Sequence, residues 1–285
     1  MKYWLTKSVS SFCLSELLYL PHMGDEQSIT AVAPVHEFED GVVTYAASSV
    51  FLPEKKGLVI AKGVGALTSS FLMSDNPRLD FIKLLDWFKK EGFLLSDRCG
   101  SIDSSTTIHK TSVIEPGAVI GAGCNIGAHC HIHNHAVLGA GVIVGSGVII
   151  GHDGFGYERD ENGVPLHFPH LGKVVIEDDV VIGNHCSVAR GVLNNTKISS
   201  GVRVDDDVYI AHNVVIEANA LVMSGARLNG RVIVKSGSWI GTGALIREGC
   251  CIGVNAVVGM GSVVTKDVAS SETVVGNPAK KLNRK

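Results

Sequence analysis

The chain has 285 residues, with 25 Lys and Arg against 28 Asp and Glu, for a net charge of −3. That balance provides no broad basic field to hold nucleic acid, and no nucleic-acid partner is expected. No apolar run reaches the roughly 18 residues that span a bilayer, and Glu16 interrupts the first apolar stretch; neither membrane insertion nor a secretory signal is expected. The seven cysteines include no CxxC pair and read as reduced thiols of a cytoplasmic protein.

Residues 1–98 mix short apolar runs, such as 41–47 and 57–61, with two helical stretches. The clearer helix opens at Asn76-Pro77, a cap followed by proline at the first helical position. Leu79, Phe81, Ile82, Leu84, Leu85 and Phe88 then form an apolar stripe that ends at Gly92. A small α/β domain is expected here.

From Ile102 onward an aliphatic residue falls on every sixth position. One run extends from Ile102 to Ile150, a second from Ile176 to Val188, and a third from Ile198 to Val264. Together they make 9 + 3 + 12 = 24 rungs, none of them polar. A period of six belongs neither to an α-helix nor to an alternating strand. It is the period of a hexapeptide parallel β-helix, in which three flat faces close one coil. The expected fold is therefore mainly β, a solenoid of about eight coils over residues 99–268. Nine glycines directly follow a rung and read as corner residues with positive φ.

Two breaks interrupt the comb: the step from Ile150 to Ile176 is 26 residues, and that from Val188 to Ile198 is 10. A solenoid admits insertions only as loops leaving the core, and loops on a rigid scaffold tend to carry chemistry. The first loop, with Gly151, Gly154 and Gly156, has a weak likeness to a phosphate cradle. It also carries the aromatics Phe155 and Tyr157, and His152, His167 and His170 as hydrogen-bonding candidates. Residues 269–285 form a basic tail containing Lys280, Lys281, Arg284 and Lys285, either a solvated terminus or a cap facing phosphates.

His212 lies two residues past the rung Ile210, at or beyond a corner. An imidazole there is suited to take a proton near neutral pH. Asp205, seven residues earlier, falls at the preceding corner, where it or a neighbouring subunit's copy would orient an imidazole. The run from His129 to His135 looks like a metal site, but His131 and His133 flank the inward rung Ile132 and need not converge. No metal is expected.

These residues resemble the UDP-3-O-acylglucosamine N-acyltransferases of lipid A biosynthesis, within the left-handed β-helix acyltransferases. The likeness rests on Asn76-Pro77 and Leu79, Asp153–Tyr157 (DGFGY), Pro169 and Gly172, Arg190-Gly191, Asp205, IAHNVVI around His212, and Gly259–Gly261. It covers nearly the whole chain, including both breaks. It implies a left-handed coil, a homotrimer with active sites between subunits, His212 as general base and Asp205 as its orienting partner. It also implies a nucleotide held by the N-terminal domain. Tyr45 and Phe51 fall on the family's aromatic positions there, and Ser48 stands where the family has an amide. Asp153, Phe155, Tyr157, His152 and His170 are assigned to the substrate.

The ending departs from that family. VVTKDVASSETVVGNPAKKL resembles the ending of coenzyme A-dependent sugar acetyltransferases, and a second family histidine is replaced by Gly249. Acetyl-CoA is therefore the expected donor, with Gly243, Lys266 and Lys280 as its contacts. The expected reaction is N-acetylation of a UDP- or dTDP-linked amino sugar for surface polysaccharide. The alternatives are the lipid A enzyme itself, using a hydroxyacyl carrier protein, and a trimeric metalloenzyme of the γ-carbonic anhydrase type.

Overall fold

The computed structural model describes residues 2–46, 55–62, 70–94 and 100–282. The chain divides into two compact units, one of residues 1–96 with 156–169 and the other of residues 97–155 with 170–285.

The first unit is built on a six-stranded mixed sheet. Strands Ser28–Val32, Val42–Ala46, Leu58–Ala61 and Ser70–Met73 run parallel, and Tyr3–Ser10 and His22–Met23 pair antiparallel at the two edges. Helix α1 spans Ser11–Leu18 and helix α2 spans Pro77–Lys90. The Asn76 side chain accepts the Leu79 N–H at 3.2 Å, the expected cap, and every residue of the α2 apolar stripe is buried. The first insertion contributes Tyr157–Arg159 and Pro165–His167, a two-stranded hairpin. Lys83 of α2 donates to Glu161 of this hairpin at 2.9 Å. The middle of the insertion, residues 156–169, thus groups with the first unit and its two ends with the second.

The second unit is the solenoid. Its strands stack into three parallel sheets, starting at Ser101–Ile102, Thr107–Ile108 and Val113–Ile114 for the first, second and third faces. The first and third sheets have eight strands each, so there are eight coils. Rung stacks on rung: Ile120 pairs with Ile102 below and Leu138 above. Every rung from Ile120 to Val264 is at most 2% exposed, whereas Ile102 of the first coil is 49% exposed. The tail continues the second sheet through Thr273–Val275, on which Lys280–Lys281 folds back antiparallel.

A second comb, not read from the sequence, runs two residues before the rungs. It holds small residues such as Ala118, Val142, Ala220 and Ala244, all buried, because alternate strand residues share the inner face. Cys124, Cys130, Cys186 and Cys250 occupy this comb and are at most 2% exposed. Several of its polar members donate to carbonyls of the next coil. Cys124 Sγ–H donates to Gly139 at 3.1 Å, Ser112 Oγ–H to Gly127 at 2.6 Å and Ser238 Oγ–H to Gly253 at 2.7 Å. Burial pushes the Cys186 thiol up to about 11. A small alkylating reagent should therefore modify the exposed Cys13 in the folded chain and leave these four unmodified until denaturant is added. Peptide mass spectrometry reads the difference.

The glycine expectation needs correcting. Positive φ falls three residues after a rung, at Gly123, Gly141 and Asn213 for example, and not directly after it. The glycines that follow rungs serve close approach instead: a Cβ on Gly121 would stand 2.6 Å from the Gly139 carbonyl carbon. Gly151 alone among the nine has positive φ.

Candidate active site

Counting coils explains where the loops emerge. Rung Ile150 closes the third face and rung Ile176 opens the next first face; Val188 and Ile198 do the same one coil later. Both insertions therefore leave the solenoid at the edge between the third and first faces. His212, after the third-face rung Ile210, occupies that same edge in the following coil.

The His212 ring is partly buried and framed by two glycines. A Cβ on Gly230, one coil further on, would lie 2.7 Å from its Nε2, and a Cβ on Gly154 would lie 3.0 Å from its Cβ. Only glycine leaves room for the imidazole to lie across this corner. The ring of His170, fully buried, meets it edge-on with centroids 5.6 Å apart.

His212 Nδ1 faces Asn213 Oδ1 at 3.1 Å. That oxygen also accepts the Val192 N–H at 3.1 Å, while Asn213 Nδ2–H donates to the Asn194 carbonyl at 2.8 Å. Because Asn213 Oδ1 accepts, the bond to it places the imidazole proton on Nδ1. Nε2 then carries the lone pair, as a general base requires. Asn213 is held in turn by its left-handed backbone, φ 60°, which asparagine tolerates. The second insertion therefore orients the histidine through Asn213, a residue sequence reasoning passed over.

The two loops are latched to each other. Arg190 Nε–H donates to Asp153 Oδ1 at 2.7 Å, and the Arg190 N–H donates to the His152 carbonyl at 2.9 Å. His152 Nε2 lies 2.8 Å from Ser187 Oγ. Asp153 and His152 thus carry structural bonds at the site's border. Phe155, just before the hairpin, is 82% exposed.

Asp205 sits elsewhere. It follows the second-face rung Val204, at the edge between the second and third faces, and its Oδ2 accepts the Ser224 N–H at 3.2 Å. Gly243 lies on that same edge with φ 66° and its N–H donated to the Ser224 carbonyl at 2.9 Å. Lys266, past rung Val264, is exposed on the His212 edge three coils on, and Lys280 is exposed on the folded-back end strand.

In the first unit, Tyr45 packs on Phe81 with centroids 4.9 Å apart and stands 6.2 Å from Phe168, over which Arg78 lies. Tyr157 is 43% exposed and meets His167 edge-on at 5.2 Å. Ser48 and Phe51 lie outside the described residues. Among the described residues, no helix is long and apolar enough to cross a membrane.

No family model matches the chain. A UDP-3-O-acylglucosamine N-acyltransferase of Francisella tularensis subsp. holarctica is 54% identical over 67 residues, 24% of this chain and 20% of that protein. One of Coxiella burnetii is 44% identical over 78 residues, 27% of this chain and 23% of that protein. The match thus spans about a fifth of the length of these curated relatives. Among solved structures, a UDP-N-acetylglucosamine acyltransferase from Campylobacter jejuni superposes with a TM-score of 0.51 at 20% identity, covering 62% of this chain and 74% of that one. The chain is a left-handed β-helix of hexapeptide repeats, related in sequence to the UDP-3-O-acylglucosamine N-acyltransferases and in fold to the UDP-N-acetylglucosamine acyltransferases.

Proposed function

We propose that the chain is an N-acyltransferase that moves an acetyl group from acetyl-CoA to the amine of a UDP- or dTDP-linked amino sugar. The observation that carries the reading is the His212 corner, where Asn213 holds Nδ1 and two glycines leave space for the ring. The amine attacks the thioester carbonyl and His212 Nε2 takes its proton. The carbon–nitrogen bond forms, the carbon–sulfur bond breaks, and the thiolate leaves with a proton as free CoA. A corner backbone N–H stabilises the oxyanion.

Asp205 and Gly243 lie on a different edge from His212. A neighbouring copy of the chain, in the homotrimer implied by the family likeness, would present its second-to-third edge to this one and complete the site. Exposed Lys266 and Lys280 would then meet CoA phosphates. Tyr45, partly exposed beside the buried Phe168, offers an aromatic ring for a nucleotide base, and Arg78 a cation for its phosphates.

The local identity to UDP-3-O-acylglucosamine N-acyltransferases favours a second reading, with a long hydroxyacyl carrier protein as donor. Turnover of a UDP-linked amino sugar with each donor separates the two. Acetyl-CoA should give the higher kcat/KM by at least tenfold; a reversed ratio assigns the carrier-protein reaction instead.

A further inference from the structure

The edge that carries His212 holds a second cluster in the first two coils of the solenoid. Glu115 follows rung Ile114 of the first coil, and His131 and His133 flank rung Ile132 of the second. The spacing from Glu115 to His133 is 18 residues, one full coil, so the two fall on the same corner. From sequence, His131 and His133 need not converge. They do: their rings stack 15° from parallel with centroids 4.1 Å apart. His131 leaves the flat face just before the corner and His133 just after it, so the rings fold over one another at the turn.

Both imidazoles address one oxygen. His131 Nε2 lies 2.9 Å and His133 Nδ1 3.0 Å from Glu115 Oε1. The other oxygen, Oε2, accepts the Asn134 N–H at 3.0 Å, which fixes the carboxylate in place. The three donor atoms lie within 4.8 Å of one another. A tetrahedral zinc ion with bonds of about 2.0–2.2 Å needs ligand atoms about 3.4 Å apart. The present contacts are shorter than that and the two rings are stacked, so an ion would require the imidazoles to swing about their side-chain torsions until both lone pairs meet at one point beside Glu115; the partly exposed corner leaves room for that and leaves the fourth position to water.

We propose that Glu115, His131 and His133 form a binding site for one zinc-class divalent ion, separate from the acyl-transfer site. Two imidazole nitrogens and one carboxylate are a donor set suited to zinc over magnesium or calcium. The ion would tie the first coil to the second. That coil is where the core is thinnest, with Ile102 at 49% exposure and Ile108 and Ile114 only partly buried, and an end coil has a neighbour on one side only. This departs from the sequence expectation of no metal, and it assigns the ion no part in the transfer reaction.

Calorimetric titration of zinc chloride into the full, metal-stripped chain tests it, in a Cys13→Ser, Cys251→Ser background that removes the more accessible described thiols. One ion per chain is expected, with affinity lowered at least tenfold in His133→Ala and in Glu115→Gln and unchanged in His109→Ala, a change at the exposed histidine after the second-face rung Ile108, on another edge. Cobalt(II) should give the visible absorption of a low-coordinate site without a thiolate charge-transfer band. Glu115→Gln keeps the side-chain shape, and far-UV circular dichroism checks that each variant is folded. Failure of the unaltered cluster to bind one ion, or equal affinity in folded Glu115→Gln and His133→Ala, overturns the proposal.

Discussion

Replacing His212 by alanine or asparagine should lower kcat by about 10²-fold or more, the usual contribution of a positioned general base. Steady-state thiol release from acetyl-CoA with an active amino-sugar acceptor is the readout. The loss belongs in kcat more than in KM, because the proton moves only as the amine attacks. Asn213 provides an internal control. Asn213→Asp keeps an acceptor for the Nδ1–H but sets a carboxylate oxygen against the Asn194 carbonyl, so its turnover should fall between that of the unaltered chain and that of Asn213→Leu. Asn213→Leu removes the acceptor and should cost about 10- to 100-fold, the scale of a displaced catalytic group. Near wild-type turnover in His212→Asn would remove the histidine from the chemistry.

Truncating the rung Ile210 to alanine should destabilise the solenoid by about 2–5 kcal/mol, the range for deleting a fully buried isoleucine side chain. Ile210 is 0% exposed and sits between Val188 and Leu228 in the middle of the third-face stack. Each coil touches only its neighbours, so the cavity opens where the His212 corner is built and activity should fall together with stability. Ile102→Ala changes a rung of the same type at the 49% exposed end, where a substitution is worth within about 0.5 kcal/mol. Urea midpoints of the two variants should differ accordingly. Equal losses would mean that the comb is not one continuous core.

The contrast between those two rungs also marks what the sequence made legible. The comb and the two breaks are side-chain patterns, so the solenoid, its eight coils and its loops can be read from residue types alone. The coil-to-edge assignment was also present, in the position of each rung counted in threes. Reading it places both insertions and His212 on one edge and separates them from Asp205 and Gly243. Other features depend on backbone geometry that no residue type announces. Asn213 takes the left-handed corner three residues after a rung, and that φ is what turns its amide toward His212. Gly230 reads as one more corner glycine until the next coil is stacked and its missing Cβ makes room for the imidazole. Glu115 carries no motif, and it meets His131 and His133 only because 18 residues return the chain to the same corner.

The buried cysteines show the opposite case, where a chemical reading was available and the physical one was simpler. Their reduced state was legible from spacing. Their placement on the small-residue comb follows from strand alternation, since a thiol there behaves as a compact apolar side chain with one weak donor. The neighbouring coil's carbonyl accepts that donor, as Cys186 does with Asp205 at 3.0 Å.

A panel of UDP- and dTDP-linked amino sugars, each incubated with acetyl-CoA and the chain while free thiol is followed, decides whether this corner transfers an acyl group to nitrogen. At least one amino sugar should release thiol and gain one acetyl group by mass, and its hydroxyl analogue should do neither. Thiol release that is the same with amine and hydroxyl acceptors, or absent with every amine tested against both acetyl-CoA and a hydroxyacyl carrier protein, would contradict an N-acyltransferase built on His212.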